Sequence, residues 1–184
     1  MKDKKRVGGF TLIEILVVVG IMMMLSVIVL GYNRSTDSTL RLFRDQAIVI
    51  GVLNRAKALA IEKFDAPGAC GFGIHLSAAS QTFLLFGDSN TNPGNDCYAG
   101  GYQGNILYES GEEIEIPFEI DSRFAFSLYD AGGTSVSEFD IVFIPPDPIA
   151  TSTVQFPLTI QINDGAASAS VRVSVTAGGQ ITGK

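Results

Sequence analysis

The sequence predicts an α+β protein in which a long amino-terminal helix leans on an antiparallel β-sheet head, its strands divided between two sheets. Three observations carry this expectation. Residues 10–30 are almost continuously apolar, with Glu14 as the single charge. Residues 39–64 repeat apolar side chains at helical spacing. Beyond Gly68 the period switches to two, and short strand-like runs are punctuated by Gly, Pro, Asn and Asp.

The first element is the apolar run. As a helix it would extend about 32 Å at roughly 1.5 Å per residue, enough for the hydrocarbon core of a bilayer. Lys2, Lys4, Lys5 and Arg6 precede it against Asp3 alone. A short basic flank of this kind stays in the cytoplasm, so the carboxyl side is expected outside. A secretory signal has a shorter apolar core with small residues after it, whereas Gly8 and Gly9 stand before this one. A protease cutting after Gly9 would remove a basic leader, keep the anchor and make Phe10 the new amino terminus. Glu14 needs its own account, because an ionisable group inside a span costs on the order of a few kcal/mol unless partnered. Either it lies close enough to the interface to stay hydrated, or it meets the amine of Phe10 on a neighbouring copy and fixes the stagger between chains.

Lys4-Lys5-Arg6-Val7-Gly8-Gly9, followed by Phe10-Thr11-Leu12-Ile13-Glu14 and a long aliphatic helix, resembles the prepilin signature of type IV pilins and of type II secretion pseudopilins. The resemblance covers about the first thirty residues. It implies a pilin-like fold, cleavage after Gly9 by a prepilin peptidase, methylation of the Phe10 amine, and a role for Glu14 in guiding subunits into a helical filament.

After the anchor, residues 31–38 are polar and poor in helix formers, a place for the helix to loosen or restart. Gly20 and Gly31 either let neighbouring helices pack closely or mark where the helix melts. From 39 to 64, Leu42, Val49, Leu53, Ala56, Ala60 and Phe64 line one side and Leu40, Phe43, Ala47 and Ile50 an adjoining strip. Arg41, Arg44, Arg55, Lys57 and Lys63 occupy the polar side. One strip is expected on the head and the other on neighbouring subunits. Asp65-Ala66-Pro67-Gly68 ends the helix. The expected divisions are a leader over 1–9, an anchor over 10–30, an amphipathic helix over 31–64 and a β-rich head over 65–184.

Strands are expected over 71–76, 82–86, 105–109, 113–120, 123–128, 139–144, 154–162 and 169–176. The clearest alternation sets Ile114, Ile116, Phe118 and Ile120 against Glu113, Glu115, Glu119 and Asp121. Asn163-Asp164-Gly165 suits a hairpin turn before Val171, Val173 and Val175. Phe72-Gly73-Ile74-His75-Leu76 with Phe83-Leu84-Leu85-Phe86-Gly87-Asp88, then Ile141-Val142-Phe143-Ile144-Pro145 and Val171-Arg172-Val173-Ser174-Val175, resemble the GspH and FimT group of minor pseudopilins and pilins. FimT-like members linked to DNA uptake carry a basic carboxyl-terminal region, which is missing around Gly183-Lys184.

The chain of 184 residues has a formal net charge of −6, and loss of the leader would take it to −9. From Asp65 onward fourteen acidic residues face only Arg123, Arg172 and Lys184. Such a head is a poor match for nucleic acid and is better suited to cations or a basic partner. Cys70 and Cys97, both in the part placed outside the membrane, read as a disulfide or as two buried thiols. With His75 they do not supply zinc's four ligands. Asp88, Asn90, Asn92 and Asp96 place oxygens at alternate positions, which reads either as a calcium loop or as an ordinary surface turn. Pro93 and Ala99 stand where the EF-hand pattern needs Gly and Glu. No other cofactor is expected. Tyr98, Tyr102 and Tyr108 belong to a glycine-rich connection that forms a contact surface or covers a core edge.

His75 has no nucleophile or carboxylate at triad spacing, so no enzyme is expected. The expectation is a filament subunit in the cytoplasmic membrane, later in a cell-surface or periplasmic filament. Its partners would be the prepilin peptidase and other pilin or pseudopilin subunits. The alternative is an anchored binding module that captures a secreted substrate or DNA.

Overall fold

A computed structural model describes residues 10–63, 69–89, 97, 102, 104–164 and 169–184, without the side chains of 29–37. It is α+β, with an amino-terminal helix and two antiparallel sheets. The chain forms two compact units, Met1–Thr39 and Leu40–Lys184.

Helix α1 runs over Leu12–Glu62, 51 residues without interruption. The loosening expected over 31–38 does not occur: helical hydrogen bonding continues through this polar stretch, as propensity is a weak prior. In the first unit the described side chains from Phe10 to Ile28 are exposed. Among the described residues no helix is long and apolar enough to cross a membrane. The described side chains of the apolar run stop at Ile28, so the span expected over 10–30 lies partly outside them.

In the second unit the described residues form the strands β1 (Ala69–Ser77), β2 (Thr82–Ser89), β3 (Phe118–Glu119), β4 (Phe124–Tyr129), β5 (Ser135–Val136), β6 (Glu138–Ile144), β7 (Ile149–Ser152), β8 (Leu158–Asp164), β9 (Ser170–Val175) and β10 (Ile181–Gly183). One sheet has the order β3-β2-β1-β6-β7 and the other β10-β9-β8-β4-β5. Each sheet ends on strands of two to four residues.

The two sheets are built from different sequence patterns. In the second, Phe124, Phe126 and Leu128 on β4, Leu158, Ile160 and Ile162 on β8, and Val171, Val173 and Val175 on β9 point inward, and the intervening residues point out. That is the one-sided burial an alternating strand encodes. In the first, β1, β2 and β6 are buried over consecutive residues. Their inner face enters the main core with Leu42, Val49, Val52, Leu53, Ala56 and Ala60 of α1. Their outer face holds a second cluster, Leu84, Phe86 and Val142, covered by Tyr102, Ile106, Tyr108 and Ile144. Tyr102 and Tyr108 thus cover a core edge; Tyr98 lies outside the described residues. Gly73 is needed in this layer, since a Cβ there would meet the Ile141 carbonyl and the Phe86 ring.

Polar contacts fix the second part of α1 on the head. Gln46 Nε2 donates to the Arg172 and Lys184 carbonyls at 2.9 and 3.2 Å, and Lys57 Nζ to the Gly179 carbonyl at 2.9 Å. Arg55 pairs with Glu115, and Arg41 lies 3.6 Å from Asp121. The supposed polar side of the helix therefore faces the head in part. Leu42, Val49, Leu53, Ala56 and Ala60 are buried as the pattern predicts, whereas Leu40 and Phe43 are 65% and 52% exposed. Phe64 lies outside the described residues.

Two expected strands did not form. Over 105–109 and 113–117 the chain is irregular apart from a bridge between Phe86 and Glu113, and only Phe118–Glu119 pairs, with β2. Ile116, placed inward by alternation, is 86% exposed. Pro117 removes a ladder donor within the run. Glu112 and Glu113 are taken up by loop donors, from Ser89, Glu109, Gly111 and Tyr108. The turn after Asp164 lies outside the described residues, but β8 and β9 pair antiparallel from Asn163 opposite Ser170.

Candidate functional site

The first candidate site is the start of α1. Thr11 and Glu14 form a reciprocal cap. The Glu14 N–H donates to Thr11 Oγ1 at 3.3 Å, while Glu14 Oε2 accepts from the Thr11 N–H at 3.4 Å and from the Thr11 hydroxyl at 3.5 Å. This is the capping-box arrangement, Thr at the N-cap and Glu three residues later, and it satisfies donors that the first helical turn leaves open. The carboxylate also sits at the positive end of the helix dipole. These bonds are long and exposed, so the carboxylate is held but exchangeable. Phe10, 82% exposed, immediately precedes the cap. Phe10, Glu14 and Val18 recur every four residues and share a face of the segment, with Ile15 and Val19 beside them. Gly9 lies outside the described residues. The sequence reading missed Thr11, although Thr-x-x-Glu ahead of an apolar run is a helix-start signal.

The head carries the other sequence-predicted residues. Cys70 and Cys97 are joined by a disulfide with Cα atoms 5.2 Å apart. Asp88, fully buried at the end of β2, is an acceptor for the loop that follows. Its Oδ2 accepts from the Tyr102 hydroxyl at 2.7 Å and the Ile106 N–H at 3.0 Å, and its Oδ1 from the Asn105 N–H at 3.1 Å. Burial pushes the Asp88 carboxyl above the usual carboxylate range, and the three donors offset that only in part. Gly104 has no room for a Cβ, which would strike this carboxylate. Asn90, Asn92 and Asp96, the other candidate calcium ligands, lie outside the described residues. Among the described residues no three His, Cys, Asp or Glu side chains gather as a metal site.

His75 does have a carboxylate partner. Its Nδ1 lies 2.7 Å from Asp140 Oδ1, and its ring packs 4.8 Å from that of Tyr108. The Tyr108 hydroxyl in turn donates to Glu113, which raises the Tyr108 pKa to about 12 and lowers that of Glu113. Sixty-five residues separate His75 from Asp140, and only the register of β1 on β6 brings them opposite each other. No spacing rule could have found the pair. Arg123 holds the Asp121 carboxyl well below its usual range through hydrogen bonds of 2.7 and 2.9 Å.

A family model, the prokaryotic N-terminal methylation motif, matches residues 4–30. No curated protein and no solved structure matches the chain. The matched segment contains Gly9, Phe10, Thr11 and Glu14, and with the capped helix start it supports a type IV pilin-like subunit. Such a motif points to processing by a prepilin peptidase, to assembly with other pilins, and to a structural subunit rather than an enzyme.

Proposed function

We propose that this chain is a structural subunit of a type IV pilus or a type II secretion pseudopilus, with a pilin-like fold and a minor role like that of the GspH and FimT group. It is inserted in the cytoplasmic membrane through 10–30 with the head outside, cut after Gly9 and methylated at the Phe10 amine. The observation that carries the reading is the capped helix start within the matched motif, one residue beyond the cleavage point. Cleavage frees an amine on Phe10 in front of an exposed apolar helix. A carboxylate held only by long, exposed bonds can exchange its own Thr11 for the amine of a neighbouring Phe10. Apolar packing of helices leaving the bilayer would supply most of the attraction, and the charge pair would set their stagger. Leu40 and Phe43 offer a further apolar strip for such contacts. The acidic head favours a protein filament over a nucleic-acid reader.

The test is the intact mass of the protein co-expressed with a prepilin peptidase, beside a Gly9→Val variant. Loss of nine residues and gain of one methyl group, both blocked in the variant, is the expected outcome. An unprocessed wild-type chain, with the peptidase active on a control prepilin, would overturn the reading.

A further inference from the structure

The outer face of the second sheet carries a cleft of about 410 Å³ that the filament reading does not use. Its walls include Tyr129, Asp130, Pro157, Thr159, Gln161 and Arg172. The sheet builds it by register. Tyr129 on β4 is opposite Thr159 on β8, and Gln161 on β8 is opposite Arg172 on β9, so all four lie on the solvent side of adjacent strands.

Its polar groups are held in place, with free valences left over. Asn163 Oδ1 accepts from Gln161 Nε2 at 2.8 Å, and Gln161 Oε1 accepts from Arg172 Nε at 3.1 Å. This relay orients the guanidinium while leaving its two terminal nitrogens without partners among the described residues. Asp130 Oδ1 accepts from the Gly132 and Thr134 N–H groups at 2.9 and 2.8 Å, which fixes the carboxylate and leaves Oδ2 open among the described residues. The Tyr129 hydroxyl is unpartnered in the same way. Three planar polar groups, an amide, a guanidinium and a carboxylate, therefore share a cleft with one aromatic ring and a proline.

We infer that this cleft is a binding site for a neutral saccharide, of the size of a single pyranose ring. Its charges cancel, one carboxylate against one guanidinium, so neither a cation nor an anion is matched. A polyanion is also repelled by a head that carries, from Asp65 onward, fourteen acidic residues and three basic ones. A purely apolar ligand would strand the open valences of Arg172, Asp130 and Tyr129. A pyranose satisfies both halves of the site. Its C–H face can lie on the Tyr129 ring while hydroxyls around its rim meet the terminal donors of Arg172 and the free oxygen of Asp130. The volume falls within the usual range for small-ligand sites, about 300–1,000 Å³. The cleft lies wholly in the head, so the inference stands whether or not the chain is processed at Gly9.

The experiment is saturation-transfer NMR on the full chain in a detergent without a sugar headgroup. The probes are methyl glucoside, methyl galactoside, methyl mannoside and N-acetylglucosamine, with galacturonate and the dipeptide Ala-Ala as comparators. The expected result is saturable binding of at least one neutral probe with a Kd below about 10 mM. Tyr129→Ala and Arg172→Ala should weaken it about tenfold or more, and Arg172→Lys should fail to restore it, because a lysine lacks the planar fork. Arg123→Ala, outside the cleft, should leave it unchanged. Far-UV circular dichroism of each variant checks that the exposed substitutions leave the sheets intact. The inference is overturned if no neutral probe saturates, if galacturonate or the dipeptide binds more tightly than every neutral probe, or if folded Tyr129→Ala and Arg172→Ala bind as the wild type does.

Discussion

Replacing Asp88 by alanine removes the acceptor on which the loop after β2 closes. Three donors lose this acceptor: the Tyr102 hydroxyl and the Asn105 and Ile106 N–H groups. A buried donor left unpaired costs about 1–3 kcal/mol. The three donor residues are only half-buried, so water can reach them in part, which places the sum near 3–4 kcal/mol. For a chain of this size that lowers Tm by roughly 6–16 °C. The assay is thermal unfolding of the full chain in detergent, followed by circular dichroism with the disulfide intact. Asp88→Asn keeps one carbonyl acceptor and should lose about half as much. The pH dependence has a definite sign. The folded-state pKa of Asp88 is raised, so the stability tied to its protonated form is complete below the unfolded value of about 3.9 and is lost as pH rises through the folded pKa. The margin of wild type over Asp88→Asn should therefore widen as pH falls from 7 towards 4. A Tm for Asp88→Ala equivalent to within about 0.5 kcal/mol of wild type would refute the assignment of Asp88 as the loop's anchor.

Two further outcomes are expected. Reducing the Cys70–Cys97 bond, whose sequence separation is 27, opens a loop worth roughly 3–4 kcal/mol in the chain-entropy model. Unfolding in urea with and without reductant measures this, and equal midpoints would contradict it. Absorbance of tyrosinate on alkaline titration should show one of the five tyrosines ionising near pH 12, because Glu113 accepts from the Tyr108 hydroxyl. Glu113→Gln should return it to the ordinary range, and an unchanged titration would break that link.

The sequence was most legible where one physical period governed a whole element. The alternation of Val171, Val173 and Val175 marked a buried strand face because nothing else competed for them, and the strand expected over 123–128 buries Phe124, Phe126 and Leu128 in the same way. The alternation from Ile114 to Ile120 misled because it ignored Pro117 and the hydrogen-bonding capacity of Glu112 and Glu113. Strands β5, β7 and β10 have two to four residues each, too few to show a period, and exist only because a longer neighbour supplies a ladder. At the helix start, Glu14 stood out by its charge, while Thr11, one polar residue before an apolar run, needed the capping rule. The Asp140–His75 contact and the cleft around Arg172 depend on cross-strand register, which no single stretch of sequence records.

The brevity of the outermost strands has a consequence for how two copies of this head can meet. An open sheet edge is a template on which another chain can add a strand, and long flat edges drive polymers that no machinery controls. Here the edges offered by β3, β5, β7 and β10 are two to four residues long. Among the described residues, these edges offer few free backbone groups for a second head to pair with. Backbone pairing along these edges therefore gives two heads little to hold on to, and association between heads would have to come from side-chain contacts instead.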